Sequence, residues 1–174
     1  MEIKTAGELM IALDKYPHIP YSYTLRQAIA EFQKWEINVG GRKSLPRVIL
    51  IFDDHNQLMG MVRRRDILRG LEPMFLAGSQ SEISRKLFDV KVDSNIAEFS
   101  YEKSLKHMKD HAERPVKEVM FPIVATVDYN DHIMKVISEL VGQNVSLMPV
   151  LRDGRVVGVV RSVDVFHEIS NFLL

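Results

Sequence analysis

The chain repeats itself, and that repetition limits its folds more than any other feature. One stretch runs Gly7-Glu8-Leu9-Met10, then Thr24-Leu25-Arg26-Gln27-Ala28-Ile29, then Val48-Ile49-Leu50-Ile51, then Leu58-Met59-Gly60-Met61-Val62-Arg63-Arg64-Arg65-Asp66-Ile67. A second runs Lys117-Glu118-Val119-Met120, then Asp131-His132-Ile133-Met134-Lys135-Val136-Ile137, then Met148-Pro149-Val150-Leu151, then Val156-Val157-Gly158-Val159-Val160-Arg161-Ser162-Val163-Asp164-Val165. Glycine and aspartate are six residues apart in both, Gly60 to Asp66 and Gly158 to Asp164. From methionine to glycine the distance is 50 residues in the first copy and 38 in the second. The first copy therefore carries about twelve extra residues, expected as loops around Asp14–Tyr21 and Gly40–Arg47. A unit of about 55 residues buries too little apolar surface to be comfortable alone, so two units are expected to share a core.

Each copy reads as the same series of elements. Leu25, Ile29 and Phe32, and again Ile133, Ile137 and Leu140, recur at helical spacing, with Thr24 and Asp131 placed as N-caps. A β-rich run follows at Val48–Phe52 and Ser146–Leu151. The turn after it is Asp53-Asp54-His55-Asn56 in one copy and Asp153-Gly154, a two-residue hairpin signal, in the other. A second strand passes through Gly60 or Gly158 into a closing helix that starts near the aspartate. With a short strand before the first helix (Ile123–Val127 in the second copy), the unit is β-α-β-β-α. Val48–Phe52 and Val156–Val160 are apolar throughout, as strands covered on both faces are. The expected fold is α/β (α+β), two β-α-β-β-α repeats packed through their sheets with pseudo-two-fold symmetry. The repeats are expected at 1–71 and 115–174, with a helical linker at 72–114. Ser94–His111 reads as its helix, with Ile96, Phe99, Leu105 and Met108 apolar.

Charge and composition exclude several function classes. The 23 basic residues balance 23 acidic ones, so no global field draws the protein to nucleic acid or an anionic membrane. The absence of cysteine removes disulfides, thiolate zinc sites and a cysteine nucleophile together. The longest apolar run, Val48–Phe52, is far short of the ~20 residues a membrane span needs. Met1-Glu2-Ile3-Lys4-Thr5 has no apolar signal region, and the expected location is the cytoplasm.

Taken in order and twice over, these motifs resemble cystathionine-β-synthase (CBS) domains, and the whole a tandem CBS pair, or Bateman module. The resemblance rests on Met120, Pro149-Val150, Gly158-Val159-Val160 and Asp164, and in the first copy on Met10, Gly60 and Asp66. There the Pro-Val site reads Pro46-Arg47-Val48, a departure. The resemblance implies a regulatory module, not an enzyme, with no catalytic residues and no metal. It implies an adenosine ligand (AMP, ADP, ATP or S-adenosylmethionine) in the cleft between repeats, assembly as a homodimer, and signalling in trans to a partner protein. Asp66 and Asp164 then correspond to the family's ribose-binding aspartate; a carboxylate accepts two hydrogen bonds from a vicinal diol, and a helix start favours phosphate nearby.

The family's hydroxyl-bearing position, which meets phosphate, is Arg63 in one copy and Arg161 in the other. Arginine offers a bidentate fork to phosphate, or its bulk fills the site, or it turns outward. Ser162 is the neighbouring hydroxyl; Ile123 and Met148, with Pro149, are the apolar candidates for holding an adenine. The alternative function is a ligand-independent structural or dimerisation module with self-closed clefts. Two further patterns carry less. His107, Asp110 and His111 share a helix face but lack the second shell of a metal site, and Gly40-Gly41-Arg42-Lys43-Ser44 lacks the glycine spacing of a phosphate loop.

Overall fold

The computed structural model describes residues 4–72 and 94–174, with side chains from 101 onward in the second span. Of the expected linker, residues 73–93 lie outside the described residues, as do the side chains of Ile96 and Phe99.

Helix α1 spans Ala6–Leu9, and β1 is Ile11–Ala12. A 3-10 turn at Leu13–Lys15 leads into β2, His18–Pro20, where the sequence suggested an extra loop. Helix α2, Leu25–Lys34, opens on a reciprocal cap: the Thr24 hydroxyl accepts from Gln27 N at 3.2 Å, and the Gln27 side chain accepts from Thr24 N at 2.9 Å. It buries Leu25, Ala28 and Phe32. The second insertion is a β-hairpin rather than the expected loop, β3 (Ile37–Val39) and β4 (Arg42–Ser44). Gly40 and Gly41 both take positive φ, 56° and 79°, the combination a tight two-residue hairpin turn requires. Strands β5 (Val48–Phe52) and β6 (Leu58–Arg63) and helix α3 (Arg64–Leu71) complete the first copy.

Helix α4, Ser94–His111, forms as its periodicity predicts and lies along α3. A 3-10 turn at Val116–Glu118 leads to β7, reduced to Val127–Asp128, then α5 (Ile133–Gly142), β8 (Leu147–Arg152), β9 (Arg155–Arg161) and α6 (Ser162–Leu173). The N-cap of α5 is His132, one residue later than expected. Asp131 instead accepts from Asp128 N at 2.8 Å and from Lys135 Nζ at 2.9 Å, closing the turn before the helix.

In both copies a short strand pairs parallel with the next one, which pairs antiparallel with the last: β2-β5-β6 and β7-β8-β9. The β8–β9 turn uses Asp153 (φ 51°) and Gly154 (φ 74°), as Asp-Gly predicts. In the β5–β6 turn, Asp53 Oδ1 accepts from His55 N and Gln57 N at 2.8 and 2.9 Å, and Asn56 carries the positive φ.

The two copies exchange their lead-in segments. Ala6 and Leu9 of α1 pack with Val127, Ile133, Val136 and Val165 in the core of the second copy. Reciprocally, Ala112, Val116 and Val119 pack with Ile19, Leu25, Phe32 and Ile67 in the core of the first. Beyond each methionine the chain joins the other copy's last strand: β1 runs antiparallel to β9, and Phe121 exchanges both backbone hydrogen bonds with Met61, at 2.8 and 3.0 Å. Between the sheets lies a shared layer of Ile11, Val48, Leu50, Met61, Leu147 and Val159. Fully burying such a side chain contributes about 1.5–3 kcal/mol.

Candidate functional site

Each last strand runs directly into its closing helix, which puts the aspartate at the helix's third position. There its carboxylate faces free backbone N–H groups and the positive end of the helix dipole. In the first copy Asp66 is fully buried. Its Oδ2 accepts from Arg63 N (2.9 Å) and Arg63 Nε (2.8 Å); its Oδ1 accepts from Arg63 Nη2 (3.0 Å) and Arg69 Nη2 (3.1 Å). The Arg63 guanidinium lies 4.3 Å from the centroid of the Phe121 ring, so the exchanged segment covers this site.

In the second copy Asp164, also buried, is gripped the same way. Arg161 Nε donates to Oδ2 at 2.6 Å and Nη2 to Oδ1 at 2.9 Å. Two side chains from the β3–β4 hairpin of the other copy join them: Ser44 Oγ accepts from Arg161 Nη1 at 3.0 Å, and Arg42 Nη2 stands 3.8 Å from Asp164 Oδ1. Tyr16 completes the cluster. It is buried, and its hydroxyl donates to the Val48 carbonyl at 2.6 Å. Burial pushes its phenol far above the ordinary range, with Arg161 pulling it down and Asp164 adding to the rise.

Arg63 and Arg161, the two departures from the family's hydroxyl position, thus sit on the carboxylates of Asp66 and Asp164. Each site holds one carboxylate and at least two guanidinium groups, and is locally cationic. The remaining candidates lie elsewhere. Met148 is fully buried in the second copy's own core, and Pro149 is buried in β8 opposite Val159. Ser162 is exposed at the start of α6, with its backbone N–H bonded to Ser146 O at 2.9 Å. Ile123 lines a separate cleft that includes neither Arg161 nor Asp164. Tyr16, Arg42 and Ser44 were not singled out for this site from the sequence; the only signal was that all three fall in the segments extra to the first copy. His107 and His111 stack edge to face, 6.0 Å between centroids, and among the described residues no group of three or more metal-ligating side chains converges.

Asp66 makes the pH dependence of folding legible. Burial raises its pKa, but the hydrogen bonds from Arg63 and the charges of Arg63 and Arg69 outweigh it and hold the carboxyl below its ordinary value. A depressed folded-state pKa contributes stability that is present above the unfolded value, about 3.9, and lost as pH falls through the folded one. The urea midpoint of wild type is expected to exceed that of Asp66→Asn at pH 7, with the gap closing over the acid range below about pH 4. A gap that stays constant across that range would show that the charge on Asp66 does not support the fold.

Comparison with known proteins agrees with this architecture. The family model for the CBS domain matches twice, over residues 6–73 and 116–171. The chain belongs to the CBS domain family. CBS pairs are regulatory modules. Among solved structures, a CBS domain-containing protein from Kribbella flavida superposes with a TM-score of 0.65 at 10% identity, covering 96% of this chain and 98% of that one. One from Bacillus anthracis gives 0.62 at 15% identity, covering 98% and 95%. The CBS domains of a transcriptional regulator from Streptococcus pneumoniae give 0.60 at 15% identity, covering 95% and 99%. At these identities the likeness establishes the fold alone. A search of curated proteins found no match to the CBS pair. Among the described residues, no helix is long and apolar enough to cross a membrane.

Proposed function

We propose that this CBS pair is a cytoplasmic regulatory module that senses an adenosine phosphate at Asp164 through an exchange of partners by Arg161. The observation that carries this reading is the buried Arg161–Asp164 pair, bidentate at 2.6 and 2.9 Å. A ribose diol offers the carboxylate two neutral hydrogen bonds, weaker than the charge-assisted fork it would replace. Displacing Arg161 without a new partner strands a largely buried guanidinium, a penalty of several kcal/mol. A ligand wins only if it also carries an anion for that guanidinium to grip, and a phosphate does so in fork geometry. AMP, ADP and ATP meet both conditions. Adenosine lacks the anion, and S-adenosylmethionine offers only a single carboxylate, beside a sulfonium and an ammonium, in place of a phosphate.

The same exchange releases Ser44, so ligand binding at the second copy alters the hairpin of the first. That differential contact is what a ligand needs to shift the shape of the pair. The output passes in trans to a partner protein, from a homodimer joined through its helices. Met134, Val141, Val163 and Phe166 on α5 and α6 are large apolar side chains left exposed, which supports this assembly.

The test is a thermal-shift series. A nucleotide at a hundred times its dissociation constant adds about 2.7 kcal/mol, a rise of roughly 5–10 °C for a chain of this size. The rise is expected with AMP, ADP or ATP, absent with adenosine and S-adenosylmethionine, and lost in Asp164→Asn. A second reading, a ligand-independent dimerisation module, is favoured because the chain's own arginines occupy both carboxylates. A flat response from a dimeric protein would select it.

A further inference from the structure

A cleft of about 910 Å³ opens where the hairpin turns of the two copies face each other, and neither Asp66 nor Asp164 lines it. Its lining is symmetric. Leu13 and Ile123 are each three residues past the methionine of their copy; Phe52 and Leu151, and Leu58 and Val156, are matching partners on the two strand ladders. His18 and Thr126 form a further equivalent pair, preceding the matched residues Ile19 and Val127. The pseudo-two-fold axis therefore passes through the cleft, and anything bound there touches both copies at once.

The chemistry of the walls is lopsided. Its apolar walls come from Leu13, Ile123, Phe52, Leu151, Leu58 and Val156, six of the residues just paired. Its polar rim carries Arg155 from the second copy and His18 and His55 from the first. His18 is already oriented: Nδ1 donates to the Tyr16 carbonyl at 2.8 Å, and its ring meets Phe52 edge to face at 5.8 Å. The one carboxylate in the lining, Asp53, is turned into its own loop, where Oδ1 accepts two backbone N–H groups. Arg155 has no ion-pair partner among the described residues. A cavity of this size, with apolar walls and a few convergent polar groups, is what small-molecule sites are made of.

We infer that this axial cleft is a second ligand site, for an amphipathic organic anion whose acidic head meets Arg155 and whose apolar body lies between Leu13 and Ile123. It is independent of the nucleotide reading, because it shares no residue with the Arg161–Asp164 cluster. Its place on the axis makes its occupant sensitive to the angle between the copies.

Isothermal titration with octyl phosphate, below its micelle concentration, tests the site. One molecule is expected to bind per chain, with octyltrimethylammonium, the same tail on a cation, giving no binding. Arg155→Ala changes an exposed side chain and is expected to weaken octyl phosphate about tenfold by removing its charge-assisted hydrogen bonds. Ile123→Trp is expected to block binding by filling the cleft, and Asp164→Asn to leave it unchanged. Absence of binding, equal binding of the cationic analogue, or full affinity in Arg155→Ala would each overturn the assignment. Loss of binding in Asp164→Asn with none in Arg155→Ala would place the anion at the other site and overturn it equally.

Discussion

Gly158→Ala is expected to destabilise the fold strongly by adding a single methyl group. A Cβ at that position would collide with the Ile11 carbonyl oxygen and stand 2.8 Å from Met10 Sδ. The sulfur belongs to a flexible side chain and can move aside. The carbonyl cannot, because it belongs to the exchanged strand β1, registered on β9 through Ile11–Val159 and Ala12–Gly158. Overpacking against a backbone group costs about 3 kcal/mol, which for a chain of this length lowers the melting temperature by roughly 6–12 °C. Gly60→Ala is expected to act the same way but less strongly, since its Cβ would meet the Phe121 carbonyl at 2.7 Å. Gly142→Ala is the control: nothing lies within 4 Å of its Cβ at the end of α5, and the change is expected to stabilise by about 0.5–1 kcal/mol. A Gly158→Ala protein melting within 2 °C of wild type would mean, on the same scaling, that β1 does not hold its place on β9.

Arg161→Ala is expected to cost at least as much, by a different route. It leaves Asp164, 6% exposed, with only the Arg42 guanidinium 3.8 Å away and nothing in the bidentate position. Removing one partner of a buried pair costs about 3–5 kcal/mol because the other charge stays behind. Removing both costs far less, so Arg161→Ala/Asp164→Ala is expected to be more stable than Arg161→Ala alone. A urea-denaturation cycle over the four proteins reads the coupling, expected at about 2 kcal/mol or more. If the two single losses simply add, the pair does not clamp the cleft, and the exchange proposed for nucleotide binding loses its basis.

The pattern of what sequence could reveal follows the range of the interactions. Asp153-Gly154, the Thr24 cap and the helical spacing of Leu25, Ile29 and Phe32 act over four residues or fewer, and the chain states them locally, although it is Ala28 that is buried while Ile29 is exposed. The arginines at 63 and 161 were visible as departures, and side-chain filling was among their three readings. Where their charges go was not visible, because three of the four groups around Asp164 (Tyr16, Arg42 and Ser44) come from residues more than a hundred positions away. The exchange of lead-in segments was hidden for another reason: Met10 and Met120 read identically whether they serve their own copy or the other. Gly40-Gly41 held a hairpin signal, but strands of three residues on either side gave too little alternation to mark it.

That exchange has a mechanical meaning. Two domains joined by one linker can swing apart like halves of a hinge. Here α1 is seated in one half and Val116 in the other, and each lies at the opposite end of the shared layer. Separating the halves means pulling out two plugs at once, so the chain gains or loses its order as one body. The motion left to it is a slight twist of one half against the other about their common axis.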